Sequence, residues 1–208
     1  MQVLGIVIVF SVVVFSMVIH ELMHGLASYW LGDDTAKLQG RLSLNPLKHI
    51  DPVMTLLVPV LLYMAGGPIF GGAKPVPINT NKIKYGDYGL ALVALAGPLS
   101  NLVLAFISFG ILTGLGADGG LLALILSLMV QVNLGFMIFN LLPIPPLDGS
   151  RIIYAIAPEF VQSVMRKIEP YGIVVVFLLI STFSTVFAGY MQAAQTIIIE
   201  IFMGIFRV

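Results

Sequence analysis

The stretch VLGIVIVFSVVVFSMVIHELMHGLASYWLG, residues 3–32, decides what kind of fold this chain can adopt. Apart from HELMH at residues 20–24, it contains no ionisable residue except a tyrosine near its end. It exceeds the roughly 20 residues that a helix needs to cross the hydrocarbon core of a bilayer. Two imidazoles and a carboxylate are costly in such a span, and ionisable residues placed there are usually functional. The stretch therefore predicts a membrane helix that carries a functional site.

The composition extends this interpretation to the whole chain. Of its 208 residues, 59% are hydrophobic and only 10% are charged, and the mean hydropathy is +1.04. Soluble domains carry about 25% charged residues. We expect an integral membrane protein with a single domain over residues 1–208. A formal net charge of zero predicts no nucleic-acid partner, and the lack of cysteine excludes disulfides and thiolate ligands.

Apolar segments recur along the chain and predict its membrane helices. They are Val3–Leu31, Val53–Met64, Tyr88–Leu115, Leu121–Leu142, Tyr171–Gly189 and Ala193–Phe206. The second and the last are short, whereas the others are long enough, or nearly so, to cross the bilayer. We predict an all-α polytopic membrane protein with about four to six transmembrane helices.

The basic residues predict the orientation of these helices. They cluster in the connections Gly32–Pro52, Ile69–Asp87 and Pro143–Pro170. All three connections lie on one face if Val53–Met64 enters the membrane and returns, and the positive-inside rule then makes that face cytoplasmic. The Gly- and Pro-rich stretch Gly66–Asn79 is typical of irregular or extended backbone. We therefore predict a re-entrant, partly extended segment near the functional site, which itself lies toward the cytoplasmic side.

The spacing within HELMH is typical of a metal site. His20 and His24 are four residues apart, so on a helix they share one face about 6 Å apart along the axis. The pattern H-E-x-x-H on a helix is the signature of zinc metalloproteases, in which the glutamate acts as general base. Zinc makes bound water more acidic, and Glu21 lies where it can take the proton without ligating the metal. We predict zinc ligands at His20 and His24 and a catalytic role for Glu21.

Spacing alone does not identify the third protein ligand of this zinc site. Catalytic zinc usually has three protein ligands. The candidates are Asp148, His49, Asp51, Glu159 and Glu200. Asp148 is modestly favoured because it lies between Pro146 and Gly149 in the stretch NLLPIPPLDG, residues 140–149, whose prolines interrupt a membrane helix.

Several segments together resemble the site-2 protease family of intramembrane zinc proteases. They are HELMHGLASYWLGD (residues 20–33), LNPLKHIDP (44–52), FGGAKPVPIN (70–79), AGPLSN (96–101) and NLLPIPPLDG (140–149). The resemblance implies that Asp148 is the third ligand of one catalytic zinc ion. It also implies that Asn140 lines the active site and binds the substrate. Asn101 resembles a small polar position that faces the site in this family, although a role in helix packing is an equal alternative.

The resemblance further implies cleavage of transmembrane segments of other proteins within the bilayer, in the cell membrane of a prokaryote. Relatives place extended segments beside the active site, where an unwound substrate can pair as a strand. The chain resembles a compact form without a PDZ module or a nucleotide-sensing domain. The alternative is a zinc-containing membrane scaffold or transporter without protease activity, and the intact Glu21 argues against it. A di-iron oxidase would need a second ExxH motif or further carboxylates, and none is present. The sequence gives no basis for predicting the oligomeric state.

Overall fold

The computed structural model describes residues 2–52, 55, 72–116 and 119–208, whose regular structure consists mainly of α-helices and short 3-10 turns. The helices are α1 (Gln2–Trp30), α2 (Thr35–Leu38), α3 (Gly86–Gly114), α4 (Gly120–Asn140), α5 (Asp148–Ile156), α6 (Glu159–Ile168), α7 (Gly172–Thr182) and α8 (Ser184–Phe206). The 3-10 turns are Pro46–Lys48, Thr80–Lys82 and Glu169–Tyr171. The described ranges contain no β-strand, and the prediction of an all-α membrane protein is confirmed.

Helices α1, α3, α4 and α8 are long and apolar enough to cross a membrane. Their spans are Val3–Trp30, Gly86–Gly114, Gly120–Asn140 and Ser184–Phe206. At 1.5 Å per residue, even the 21-residue span of α4 covers about 30 Å, the thickness of a typical hydrocarbon core. The four spans found among the described residues fall within the predicted range of four to six.

The C-terminal helices differ from the prediction. The apolar segment Tyr171–Gly189 is not one span, because α7 ends at Thr182 and α8 begins at Ser184. Phe183, between them, has φ −114° and ψ 32°, which are not helical. The break falls in the sequence STFST, whose Ser, Thr and Phe residues are all weak helix formers. The last span is therefore Ser184–Phe206, longer than the predicted Ala193–Phe206.

Described residues of the second and third basic connections line one cavity, and the first connection is hydrogen-bonded to the second. The amide of Lys84 donates to the carbonyl of Leu31 at 2.9 Å, which joins the start of α3 to the end of α1. Lys82 also pairs with Asp34 at 2.6 Å. The predicted re-entrant segment Val53–Met64 lies outside the described residues except for Thr55. Of the predicted irregular stretch Gly66–Asn79, residues 72–79 are described, and they form neither helix nor strand.

Helix α3 lies at the centre of the bundle, where it contacts α1, α4, α5 and α8. Its C-terminal half packs against α4 and α8 in a cluster of buried side chains: Ala105, Phe109, Val130, Leu134, Met137, Ile138 and Phe202. Gly110 permits this approach, because a Cβ there would lie 2.6 Å from the Phe206 ring. Small residues at such contacts let membrane helices pack closely, since lipid provides no hydrophobic drive for association.

Candidate metal centre

Two histidines of α1 and the first residue of α5 converge on one point. The Nε2 atoms of His20 and His24 are 3.0 Å apart. Oδ2 of Asp148 lies 3.2 Å from Nε2 of His20 and 3.3 Å from Nε2 of His24. Among the described residues, these three side chains bring their ligand atoms within 4.8 Å of one another, close enough to hold one metal ion.

The protons of the two imidazoles are placed by the partners of their other nitrogens. Nδ1 of His24 lies 2.8 Å from the carbonyl oxygen of Val93, which can only accept a hydrogen bond. Nδ1 of His20 lies 2.6 Å from Oδ1 of Asn101 and likewise donates. In neutral imidazoles both Nε2 atoms therefore present lone pairs to the point where they meet.

The arrangement fits a cation. Oδ2 of Asp148 is buried and has no hydrogen-bond partner, and both imidazole nitrogens facing it carry lone pairs. Three acceptor atoms this close repel one another, and a buried polar atom without a partner is costly. A divalent metal ion relieves both problems, and two imidazoles with one carboxylate form a common ligand set of catalytic zinc.

Gly97 of α3 allows the histidines to approach this helix. A Cβ at residue 97 would lie 2.4 Å from Nε2 of His24 and 2.7 Å from Cε1 of His20. Contacts below 3.0 Å are essentially never observed for real Cβ atoms. Any other residue would therefore displace the imidazoles from their meeting point.

Asp148 is brought to the histidines by the interruption between α4 and α5. Helix α4 ends at Asn140, and the proline-rich residues 141–147 that follow are not helical. Proline cannot donate to the carbonyl one turn earlier, so the helix cannot continue through this stretch. Gly149 then packs against the end of α4, because a Cβ there would lie 2.2 Å from the carbonyl oxygen of Leu141. The predicted break thus turns the Asp148 carboxylate into the bundle.

Behind His20, a chain of buried polar side chains crosses the bundle. Nδ2 of Asn101 donates to Oδ1 of Asn133 at 2.8 Å. Nδ2 of Asn133 donates to Oγ of Ser16 at 2.9 Å and to the carbonyl of Met129 at 2.8 Å. Because that carbonyl accepts only, it fixes the orientation of the Asn133 amide and through it that of Asn101. The chain keeps an acceptor facing Nδ1 of His20.

Replacing Asn133 by leucine is expected to weaken zinc binding by about 10–100-fold, the usual effect of losing an outer partner of a metal ligand. Without Asn133, the Asn101 amide is free to turn its NH₂ group toward His20 and disfavour the tautomer that binds metal. Zinc affinity, measured by competition with a chromophoric chelator, tests this expectation. Gln131→Leu is the matched control, because Gln131 lies on the same helix and is exposed. Equal zinc affinity in the two variants would contradict the role of the chain.

A cavity of about 350 Å³ opens beside the three converging residues. Glu21 lines it, and Oε2 of Glu21 accepts a hydrogen bond from the amide of Val76 at 2.9 Å. Asn140 also lines the cavity, and its Nδ2 donates to the carbonyl of Phe136 at 3.0 Å. Asn101 is fully buried behind His20 and is not among the lining residues. In the structure Asn101 contacts His20, a candidate metal ligand, and its predicted role in substrate binding stays a prediction.

The other candidates for the third ligand lie elsewhere. His49 is fully buried, and its Nε2 lies 2.8 Å from the carbonyl of Ser43. Glu159 pairs with Arg166 on α6, and Glu200 is exposed on α8. Asp51 is likewise outside the group of ligand atoms that converge with those of His20 and His24.

The chain shares sequence over most of its length with proteins named as zinc metalloproteases. It is 43% identical to "Putative zinc metalloprotease YwhC" of Bacillus subtilis (strain 168) over 202 residues, which cover 92% of this chain and 89% of that protein. It is 30% identical to "Putative zinc metalloprotease Rip2" of Mycolicibacterium smegmatis, with 80% of this chain and 64% of that protein covered. Residues 116–183 match peptidase family M50.

This chain belongs to peptidase family M50, the site-2 protease family. As a member of family M50 it is a membrane metalloendopeptidase with zinc as its cofactor and proteins as its substrates. A shorter match, 46% identical over 61 residues, covers 29% of this chain and 31% of "Putative zinc metalloprotease MJ0611" of Methanocaldococcus jannaschii. No solved structure matches the chain.

Some residues of this M50 site were not predicted from the sequence. Ser16 and Asn133 complete the polar chain behind His20, and Gly97 leaves room for the imidazoles against α3. Asn133 did carry a signal, since a side chain with an amide inside an apolar span must find a partner there. The sequence does not indicate which helix provides that partner.

Proposed function

We propose that this protein cleaves transmembrane segments of other membrane proteins within the bilayer, with His20, His24 and Asp148 as the zinc ligands and Glu21 as the general base. The observation that carries this proposal is the depth of the site. His20 and His24 lie inside the span Val3–Trp30, and His20 is about 15 Å along the helix axis from Trp30, at 1.5 Å per residue. A peptide bond must therefore enter the membrane region to reach them.

Glu21 is the group that moves protons in the proposed reaction. When bound, zinc acts as a Lewis acid that activates water and polarises the scissile carbonyl. The Glu21 carboxylate lines the cavity beside the ligands without joining them. It takes a proton from the attacking water and delivers it to the leaving amine.

Asn140 and the extended residues 72–79 form the proposed binding surface for substrate. One hydrogen of the Asn140 amide is used by Phe136, which leaves the second for a substrate carbonyl. Pro75, Val76 and Ile78 line the cavity opposite. A transmembrane substrate must lose helical hydrogen bonds before cleavage, and pairing with an extended segment replaces some of them. Substrates with helix-breaking residues in their spans are therefore preferred.

The basic connections favour a cytoplasmic location for the end of the bundle nearest the site. The connections meet at this end, and Lys and Arg residues concentrate on the cytoplasmic side of membranes. We propose that the enzyme resides in a prokaryotic cell membrane, with the lipid bilayer as its surroundings and a membrane-spanning protein as its partner. Neither charge nor fold suggests a nucleic-acid partner.

A reconstituted reaction tests the function. Purified protein in liposomes is incubated with a single-pass substrate that has Asn-Pro in the middle of its span, and the fragments are sequenced by mass spectrometry. We expect new termini within the span, loss of cleavage after a chelator removes zinc, and recovery when zinc is returned. A substrate with Leu-Leu in place of Asn-Pro is the control and should be cleaved more slowly. Cleavage only outside the membrane, or cleavage that survives zinc removal, would contradict the proposal.

A further inference from the structure

The position of Glu21 depends on a segment outside the membrane helices. Oε2 of Glu21 accepts its hydrogen bond from the amide of Val76. Val76 belongs to residues 72–79, which we call the extended segment. Any movement of this segment at Val76 therefore moves the donor that holds the Glu21 carboxylate.

Among the described residues, individual hydrogen bonds hold the extended segment in place. Pro75 and Pro77 have no N–H to donate. The amide of Lys74 donates to the carbonyl of His49 at 2.8 Å, and at the far end the amide of Asn79 donates to Oδ2 of Asp33 at 2.7 Å. Because the described residues of the segment join no helix or strand, its course depends on these individual contacts.

Asp33, which binds the amide of Asn79 at the C-terminal end of the extended segment, is itself held by hydrogen bonds. Its other oxygen, Oδ1, accepts from the amide and hydroxyl of Thr35. Burial alone would raise the pKa of Asp33, but the hydrogen bonds from Thr35 and Asn79 outweigh it, and the pKa lies below its ordinary value. The charged form is therefore the one that holds Asn79.

Arg41 binds the near end of the segment. Its Nη2 donates to the carbonyl of Lys74 at 2.7 Å and approaches that of Pro75 at 3.3 Å. The residue is only 9% exposed. A buried guanidinium needs hydrogen-bond acceptors to replace its lost hydration, and the carbonyls of Lys74 and Pro75 provide them. Both contacts come from one nitrogen, Nη2, so they depend on the position of a single corner of the guanidinium.

His49 also binds the N-terminal part of the extended segment, through Lys74. It is fully buried, with its ring nitrogen bound to Ser43 and its carbonyl bound to Lys74. The intervening turn is stiffened by Asn45, whose side chain accepts from the amide of Leu47 at 3.0 Å. These residues form the LNPLKHIDP stretch (residues 44–52), which the metal centre does not use.

We propose that Arg41 and His49 are positioning residues, which hold Lys74 and Pro75 so that the neighbouring Val76 amide fixes the Glu21 carboxylate beside the metal site. We call this pair the clamp. The inference rests on the proposed function for the role of Glu21, whereas the clamp itself is a structural arrangement that can be measured separately. We expect loss of the clamp to lower turnover, because it displaces the Glu21 carboxylate. The three metal-ligand side chains do not contact the clamp and should stay in place.

Arg41→Met tests the clamp in the full-length protein. Hydrogen exchange of the backbone amides in residues 72–79 is expected to become at least about tenfold faster, as for a segment whose opening is no longer opposed. A base displaced by about 1 Å can reduce turnover about a hundredfold, so kcat should fall by that order with a smaller change in KM. Zinc content should remain that of the wild type, which separates the effect from damage to the metal centre.

Two further variants make the result decisive. Arg166→Met is the matched control, since Arg166 lies on the outer side of α6, pairs with Glu159 and makes no contact with the extended segment. It should leave exchange, zinc content and kcat unchanged. Arg41→Lys keeps the charge and should give intermediate exchange and kcat. Exchange in the α3 and α4 amides reports on whether each variant is folded.

Each outcome decides between the possibilities. If the amides of residues 72–79 exchange at the wild-type rate in Arg41→Met and Arg41→Lys, the clamp does not exist. If loss of zinc accounts for the lost turnover, the clamp hypothesis is also wrong. Faster exchange with wild-type kcat would overturn the role in positioning Glu21. If the zinc-loaded wild type cleaves no membrane segment, the proposed function fails, whereas the exchange data still decide whether the clamp exists.

Discussion

Replacing Glu21 by glutamine is expected to reduce cleavage of a membrane substrate by about 10²–10⁴-fold, the contribution typical of a general base. Glutamine has the same shape, and its Oε1 can still accept the hydrogen bond that the Val76 amide donates to Glu21. It cannot take a proton from water at neutral pH. The fold and the bound zinc should therefore be preserved while the reaction stops.

Cleavage of a co-expressed model substrate, measured together with zinc content, checks this expectation. Glu159→Gln is the matched control, because it removes one carboxylate from the exposed helix α6 and leaves the cavity untouched. Cleavage by Glu21→Gln at the wild-type rate would remove Glu21 from the mechanism. Loss of zinc in that variant would instead assign it to metal binding.

Gly97→Ala is expected to have an effect nearly as large, although it adds a single methyl group. That methyl would lie 2.4 Å from Nε2 of His24 and 2.6 Å from its Cε1, so at least one imidazole must move away from the metal site. Changes beside metal ligands cost up to about a hundredfold in metal affinity, and displacement of a ligand should reach at least that. Cleavage should fall in parallel, since zinc is required.

The comparison with Gly114→Ala isolates this steric effect. Gly114 lies on the same helix, α3, and a Cβ there meets no atom within 4 Å. Alanine is favoured over glycine in helices, so this control should retain zinc and stability. Titration of both purified variants with zinc measures the difference. Equal affinities would show that the histidines do not lie against α3 as the structure has them.

The membrane character and the long spans could be predicted from the sequence because hydropathy depends on composition alone. Residues 3–32 and 121–142 are predominantly apolar, and each covers nearly all of a helix that is long and apolar enough to cross a membrane. The break at Phe183 was missed for a physical reason. A run of apolar residues satisfies the hydropathy criterion whether or not its backbone is continuous, and weak helix formers in STFST end the helix without lowering the hydropathy much.

The metal centre was only partly predictable. His20, Glu21 and His24 share one helix, so their relation follows from helical geometry. Asp148 is distant in sequence, and spacing cannot show which carboxylate returns to a site. The prolines before Asp148 favoured it modestly among the five candidate ligands, and the family resemblance then selected it. The structure places its Oδ2 at 3.2 Å from Nε2 of His20.

The amides behind His20 have a consequence for how the membrane helices assemble. Apolar helices in lipid can slide past one another at little cost, because one hydrocarbon contact resembles the next. The hydrogen bonds from His20 to Asn101, from Asn101 to Asn133 and from Asn133 to Ser16 join α1, α3 and α4 at one depth. A shift of one helix by a single turn would strand these groups in hydrocarbon without partners. The same side chains that support the imidazole therefore fix the axial register of the three helices around it.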